Sequence, residues 1–178
     1  RGELSHLTAE RVWKELSRAL TETAPRRFFD VLLDCNVLDV LFPEVFNLLA
    51  CTESPKWHPE GNTFEHTMLV LTAASKLNPG SLVAAFNALT HDFGKAEVPA
   101  HLHPKFFGHA DLGMKPVAAF CDRLKVPADL KKTAVLVCKF HMHMHQLNVM
   151  KATTFVKMFD AMDAWRNEAV VEDLVNLG

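Results

Sequence analysis

Cysteine motifs are missing from this sequence. Its four cysteines, at positions 35, 51, 121 and 138, include no Cys-x-x-Cys pair and are widely spaced. This spacing argues against a thiolate zinc site and against a disulfide framework, and it favours a reducing, cytoplasmic setting.

The chain also lacks a large net charge and long apolar runs. The formal net charge is −2 at pH 7 with neutral histidines, so the total charge does not require nucleic acid or membrane, although it leaves a local basic patch open. No apolar stretch has the length of a membrane span, and we expect no membrane partner. The opening RGELSHLTAE resembles neither a signal nor a transit peptide and lacks an initiator Met, so we expect a fragment of a longer chain.

No segment shows the apolar–polar alternation of a strand, and no internal repeat is present. Helical spacing, capping residues and breakers instead predict an all-α fold, with an initial unit at 1–55 and a second domain at 56–178. A short apolar segment at 37–42 should end at Pro43, and we expect loops at 51–62 and 96–107. The predicted helices are 9–20, 25–35, 63–77, 81–89, 109–124, 128–140 and 151–166.

Histidine is abundant, with ten residues in 178. In THDFGK (90–95), His91 and Asp92 follow an apolar helix, where two ionisable groups are costly to bury unless they are paired or bind a cation. His66 lies in the third predicted helix and Asp163 in the last. Imidazole and carboxylate ligands from several elements are typical of a metal site.

Each of these positions also has a structural explanation. His66 alone is better explained as a hydrogen-bonded core residue, and the pair at 91 and 92 favours neither explanation. All four positions on three helices together favour a metal site that leaves room for water, which suits hydrolysis of a phosphoester. Periodicity does not separate Asp160 from Asp163, because residues three apart share a helix face.

The arrangement of His66, His91-Asp92 and Asp163 resembles the HD superfamily of metal-dependent phosphohydrolases. The segments WHPEGNTFEHTMLVL, ALTHDFGKAEVP, KFFGHADLG, CKFHMHMH and KMFDAMDAWR together resemble the HD domain of bacterial CCA-adding tRNA nucleotidyltransferases. The segments GELSHLTAERVWKELSRAL and VLDVLFPEV resemble the helical body that precedes that domain. The resemblance covers nearly the whole chain, and it decides for Asp163 over Asp160 through the neighbouring Ala-Trp-Arg.

The resemblance implies an all-α HD helical bundle with 2′,3′-cyclic phosphodiesterase, 2′-nucleotidase and phosphatase activities. It implies a divalent metal such as nickel, magnesium or manganese, and as substrates tRNA 3′ ends or small phosphoesters. The metal-ligand roles carry over to His66, His91, Asp92 and Asp163. His109 and His141 match histidines that some HD enzymes use for a second metal or for phosphate.

Further catalytic roles are assigned on weaker grounds. Asp92 is both a ligand and a candidate general base, and Lys95 is a candidate for neutralising phosphate charge, although most lysines are solvated. His109 follows Gly108, which would allow close approach of the backbone. His141 lies at a predicted helix C-terminus, which would favour an imidazolium. Lys105 and Arg166 are weaker candidates for phosphate, and His141 shares a helix face with His145.

The Gly-Ser turn and paired carboxylates of a nucleotidyltransferase head are missing, so this chain should not add CCA by itself. Three alternatives stay open at this point. The chain is a tRNA-binding helical module with an inactive site, an HD phosphohydrolase acting on free nucleotides, or a non-catalytic domain. Apolar faces of the first two helices are further expected to dock on a head domain or on a second copy of the chain, which would form a homodimer. Arginines that would face RNA phosphates are Arg11, Arg18, Arg26 and Arg27.

Overall fold

A computed structural model of the chain describes residues 4, 6–144, 146–166, 171 and 175. In this part of the chain the structure is all-α, as predicted, and a single isolated bridge between Thr52 and Asn62 replaces any strand. The helices are α1 (Ala9–Leu20), α2 (Arg26–Asp34), α3 (Leu38–Leu41), α4 (Pro43–Asn47), α5 (Thr63–Leu77), α6 (Leu82–Thr90), α7 (His109–Leu124), α8 (Ala128–Met144) and α9 (Ala152–Ala161). Short 3₁₀ segments lie at Leu48–Ala50, Phe93–Glu97 and Ala100–Leu102.

Side-chain caps fix where three of the helices begin. Thr8, Asn62 and Ser81 each accept a hydrogen bond from the backbone N–H three residues later, at 3.4, 2.9 and 3.2 Å respectively. Each bond satisfies one of the N–H groups that the first helical turn leaves without a partner, which contributes about 1 kcal/mol per cap. These local signals explain why α1 and α5 match their predicted ranges and why α6 does so to within a residue.

The short apolar segment ends before Pro43 as predicted, since α3 stops at Leu41. Pro43 also occupies the first position of a further helix, α4, where its missing N–H costs nothing. Two predicted boundaries were wrong. Helix α8 continues past Phe140 to Met144. Helix α9 ends at Ala161, so Asp163 lies beyond it with a left-handed φ of 52°.

One hydrophobic core extends across residue 55. Phe42 lies 6.3 Å from Phe120 between ring centroids, Phe120 stacks on Phe86 at 6.1 Å, and Trp13 meets Phe86 edge-on at 5.5 Å. Burying a phenylalanine of this kind stabilises a fold by roughly 1.5–3 kcal/mol. The first helices therefore pack on the rest of the chain, and a domain boundary at residue 55 stays a prediction.

Two glycines bring the segment after α6 against α7. A Cβ built on Gly94 would lie 1.8 Å from the backbone oxygen of His109, and one on Gly113 would lie 2.5 Å from Sγ of Cys138. Neither position accepts a side chain without movement of its neighbours. This backbone contact sets the start of α7 beside the turn that carries Asp92.

The structure also bears on the predictions about membrane spans and cysteines. Among the described residues, no helix is long and apolar enough to cross a membrane. All four cysteines are free; Cys35 is exposed and the other three are buried.

Candidate metal centre

Asp92 lies at the centre of the histidine cluster. It follows α6, and its residue is 2% exposed. The apolar residues of α6 that precede it are buried on nearly all sides, so the helix delivers the carboxylate into the interior. A buried carboxylate is costly unless other groups compensate its charge.

Four imidazoles from four helices converge on this carboxylate. Nε2 of His91 lies 3.2 Å and Nε2 of His66 lies 3.8 Å from Oδ2 of Asp92. Nε2 of His109 and Nε2 of His141 lie 3.3 and 3.4 Å from Oδ1. The rings come from α5, the end of α6, the start of α7 and α8. The convergence predicted for His66, His91 and Asp92 is thus present.

The other ring nitrogen of each histidine is already engaged. Nδ1 of His91, His109 and His141 lies 2.7–2.8 Å from a backbone carbonyl oxygen three residues earlier. Nδ1 of His66 lies 2.8 Å from Oε1 of Glu60. Each of these oxygens only accepts, so Nδ1 carries the proton and Nε2 presents a lone pair when the ring is neutral. Metal-bound histidines are oriented by partners of this kind.

The side of the cluster formed by Oδ1 of Asp92, His109 and His141 therefore has acceptors without donors. Nε2 of His109 and Nε2 of His141 lie only 3.2 Å apart, although both Nδ1 atoms carry the protons. Among the described residues, Oδ1 of Asp92 makes no hydrogen bond of acceptable geometry. Lone pairs that face one another at this distance repel unless a positive charge lies between them. The residues present consequently fit a bound cation.

Three groups of three ligand atoms lie close enough to hold a cation, and within each group the atoms lie within 4.8 Å of one another. The groups are His58, Glu60 and His66; His66, His91 and Asp92; and Asp92, His109 and His141. Asp92 belongs to the last two groups and offers one oxygen to each. Shared carboxylates of this kind occur in sites with two metal ions.

Lys95 is buried rather than solvated, contrary to expectation. It is 7% exposed, and its ammonium lies 2.8 Å from both Oδ2 of Asp92 and Oε1 of Glu53. Glu53 also accepts a 2.8 Å hydrogen bond from the hydroxyl of Thr63. Glu53 was not predicted, because it lies 42 residues before its lysine and only the closed loop 51–62 brings the two together.

Glu60 was also missed. Its Oε1 accepts hydrogen bonds from Nδ1 of His66 and from Nδ1 of His58, at 2.8 and 3.0 Å. His58, to which no role was assigned, meets His66 edge-on at 4.6 Å between ring centroids. A glutamate six residues before the histidine, within a His-Pro-Glu-Gly turn, was the available sequence signal.

Burial and local charge set the protonation states of the cluster. Burial lowers the pKa of His66 and of His141 and outweighs the attraction of Asp92, so both are neutral near pH 7. The imidazolium expected at His141 is therefore wrong. Burial alone would raise the pKa of Asp92, but nearby His91 and Lys95 hold it well below its usual value. Burial opposes the charge of Lys95, yet Asp92 and Glu53 raise its pKa.

Other predicted site residues lie outside these groups. Among the described residues, Asp163 belongs to no group of three ligands; it is half-buried after α9, and its ligand role stays a prediction. Nε1 of Trp165 donates a 2.8 Å hydrogen bond to Asp160. Lys105 and Arg166 are exposed. His145 lies outside the described residues.

Gly108 does not serve a close approach of the backbone, contrary to the prediction. Gly108 is the N-cap of α7 with a φ of +77°, and no atom of the described chain lies within 4 Å of a Cβ built there. It is needed for its left-handed backbone and not for a close approach. Close approach occurs at Gly94 and Gly113.

The fold and the site define a class: an all-α protein with a buried histidine–aspartate centre assembled from four helices. Residues 1–49 match the family model described as "Probable RNA and SrmB-binding site of polymerase A". This match links the first helices to the poly(A) and CCA polymerase family. It covers 49 of 178 residues and ends before the Asp92 centre, so the HD resemblance stays a prediction.

Proposed function

We propose that the chain is a metal-dependent phosphohydrolase of the HD type, and that it corresponds to the part of a tRNA nucleotidyltransferase that follows the head. Its activities would be those of a 2′,3′-cyclic phosphodiesterase, a 2′-nucleotidase and a phosphatase. The observation that carries the proposal is the convergence of four Nε2 atoms on the carboxylate of Asp92, with all four Nδ1 atoms engaged elsewhere.

The ligand residues would be His66 and His91 on one side of Asp92 and His109 and His141 on the other. Nickel, magnesium or manganese bound there would supply a Lewis acid for the phosphoryl oxygens and would activate water for attack on phosphorus. Mixed imidazole and carboxylate ligands suit nickel and manganese, whereas magnesium prefers oxygen.

The chain's own residues would orient the substrate and offset its charge. Lys95 lies at the inner wall of a cleft beside the centre, where its ammonium would face a phosphate oxygen while Glu53 holds it in place. Preorganised cations of this kind stabilise charge that develops in a transition state. We assign Asp92 to binding the metal and not to accepting a proton, because its pKa is held low.

A panel of phosphoesters tests the proposal. The 178-residue chain, stripped with a chelator, would be assayed with Mg²⁺, Mn²⁺ and Ni²⁺ on 2′,3′-cyclic AMP, adenosine 2′-monophosphate and tRNA that ends in a 2′,3′-cyclic phosphate. We expect turnover with at least one ion, and a loss of about 100-fold or more in Asp92→Asn.

The matched control is Asp34→Asn, which neutralises an exposed carboxylate at the end of α2. Its activity should equal that of the original chain. In Asp92→Asn, Lys95 keeps Glu53 as its partner, and circular dichroism would verify the fold. Absence of turnover with every ion, or full turnover in Asp92→Asn, would refute the proposal.

A second candidate function is RNA binding by the first helices, which the family match at residues 1–49 favours. Arg11, Arg18 and Arg27 are exposed there, whereas Arg26 pairs with Glu65 at 2.9 Å. Phosphate contacts predict a steep salt dependence of tRNA affinity, and replacing the three exposed arginines by glutamine should lower that slope by about 3 units. An unchanged slope would argue against this function.

A further inference from the structure

A cleft opens directly onto the Asp92 centre. Its volume is about 620 Å³, within the range of roughly 300–1,000 Å³ typical of small-ligand sites. Lys95 and His109 line its inner end, and both contact the carboxylate of Asp92. A molecule in this cleft would therefore place one end against the centre.

Two large aromatic side chains line the outer part of the same cleft while remaining in solvent. Trp57 is 72% exposed and Phe107 is 85% exposed. Isolated exposed apolar residues are ordinary, but two aromatics that share one cleft mark a binding surface. The ammonium of Lys56 lies 4.7 Å from the centroid of the Trp57 ring. Lys56 does not line the cleft, whereas Trp57 does, so the tryptophan also presents surface to the cleft.

We propose that Trp57 and Phe107 bind the nucleobase of a nucleoside phosphate whose phosphate lies against Lys95 and His109. This inference rests on the proposed phosphohydrolase function and adds the part of the substrate that does not react. A base supplies a flat π surface for the aromatic rings. The phosphate supplies oxygens that can accept hydrogen bonds from the ammonium of Lys95, which Glu53 and Asp92 hold in place.

The lining of the cleft argues for a nucleotide over a wholly apolar ligand. Lys105 also lines the cleft and is exposed, and the buried Lys95 and Glu53 line it as well. An apolar ligand would leave these charged groups desolvated without compensation. Stacking on aromatic faces is available to every base, so we expect affinity for the base with little preference among the four.

The test compares a nucleotide with the same molecule without its base. The 178-residue chain would be titrated calorimetrically, in metal-free buffer, with adenosine 2′-monophosphate and with methyl ribofuranoside 2-phosphate. We expect Trp57→Ala and Phe107→Ala each to weaken nucleotide binding by roughly 5- to 150-fold and to leave binding of the base-free analogue unchanged. Trp57→Phe should restore most of the affinity.

Trp165→Ala is the matched control, because Trp165 is also an exposed tryptophan but does not line the cleft. It should bind both probes like the original chain. Unchanged nucleotide affinity in both alanine variants, or an equal loss for both probes, would overturn the inference.

Turnover of the same two probes, with the best ion from the phosphoester panel, separates this inference from the proposed function. Nucleotide binding that depends on Trp57 without hydrolysis would support the cleft assignment and refute the phosphohydrolase. Hydrolysis of both probes with equal kcat/KM in the original chain and in Trp57→Ala would support the phosphohydrolase and refute the cleft assignment.

Discussion

Gly94→Ala should disable the Asp92 centre without altering any of the side chains that form it. The added Cβ would lie 1.8 Å from the backbone oxygen of His109 and 2.6 Å from the backbone nitrogen of Gly113. Both obstructing atoms are backbone atoms of α7, so no side-chain rotation relieves the clash. The start of α7 must move away from the turn that carries Asp92, and His109 moves with it.

The displacement is large on the scale of a metal site. A Cβ essentially never approaches another heavy atom within 3.0 Å, so the gap must widen by about 1.2 Å, the difference between that limit and the present 1.8 Å. Misplacement by about 1 Å costs on the order of 100-fold in rate, and overpacking costs about 1–3 kcal/mol of stability. We therefore expect kcat/KM to fall about 100-fold while the chain still folds.

Gly80→Ala is the control for loss of stability alone. Gly80 has a φ of +76°, and no atom of the described chain lies within 4 Å of its built Cβ. The substitution imposes about 1–2 kcal/mol of left-handed backbone strain away from the site. Denaturant unfolding and turnover would be measured on both variants. Equal turnover in Gly94→Ala and Gly80→Ala would refute the view that this backbone contact positions His109.

Three further predictions concern a positioning residue, the thiols and pH. Glu60→Gln should weaken the binding of Mn²⁺ by roughly 10- to 100-fold in equilibrium dialysis, because His66 loses a charged acceptor at Nδ1; unchanged affinity would deny Glu60 that role. A thiol reagent at about pH 8 should modify the exposed Cys35 rapidly and the three buried cysteines slowly. Burial raises the pKa to about 11 for Cys51 and to about 12 for Cys121 and Cys138. Four equally fast thiols would contradict this prediction. The free energy of unfolding of the metal-free chain should fall as pH drops below about 6.5. Burial lowers the pKa values of His66 and His141 in the folded chain, so the unfolded chain binds protons first. Constant stability in urea titrations between about pH 7 and 5.5 would contradict this prediction.

Local signals were enough to predict most of the helices. The side-chain oxygens of Thr8 and Ser81 cap α1 and α6 as sequence indicated, and α5 has the predicted range. Pro43 shows the ambiguity of such signals, since proline both ends one helix and begins another. Deciding between these outcomes requires knowing how the next residues pack.

The sequence predicted which side chains of the Asp92 centre come together, but not the groups that support them. His66 and His91-Asp92 could be identified from residue type and order. Lys95 was expected in solvent, because its burial depends on Glu53, far away in sequence. Charge pairing over 42 residues leaves no local pattern.

The contact between Gly94 and Gly113 was missed for a similar reason. The sequence does not distinguish a glycine needed for a close backbone approach from one needed for a turn. Only the packing around each glycine shows which role it has. The close approach was predicted at Gly108, whereas that residue supplies a left-handed φ.

The position of a bound ion tests the central claim most directly. Crystals of the chain grown with Ni²⁺ or Mn²⁺ would be measured at the absorption edge of the metal, and an anomalous difference map would locate the ion. The account predicts a peak within bonding distance of the Asp92 carboxylate and of at least two of the four Nε2 atoms. A map with no peak at Asp92, or with peaks only at exposed histidines such as His101, would contradict it.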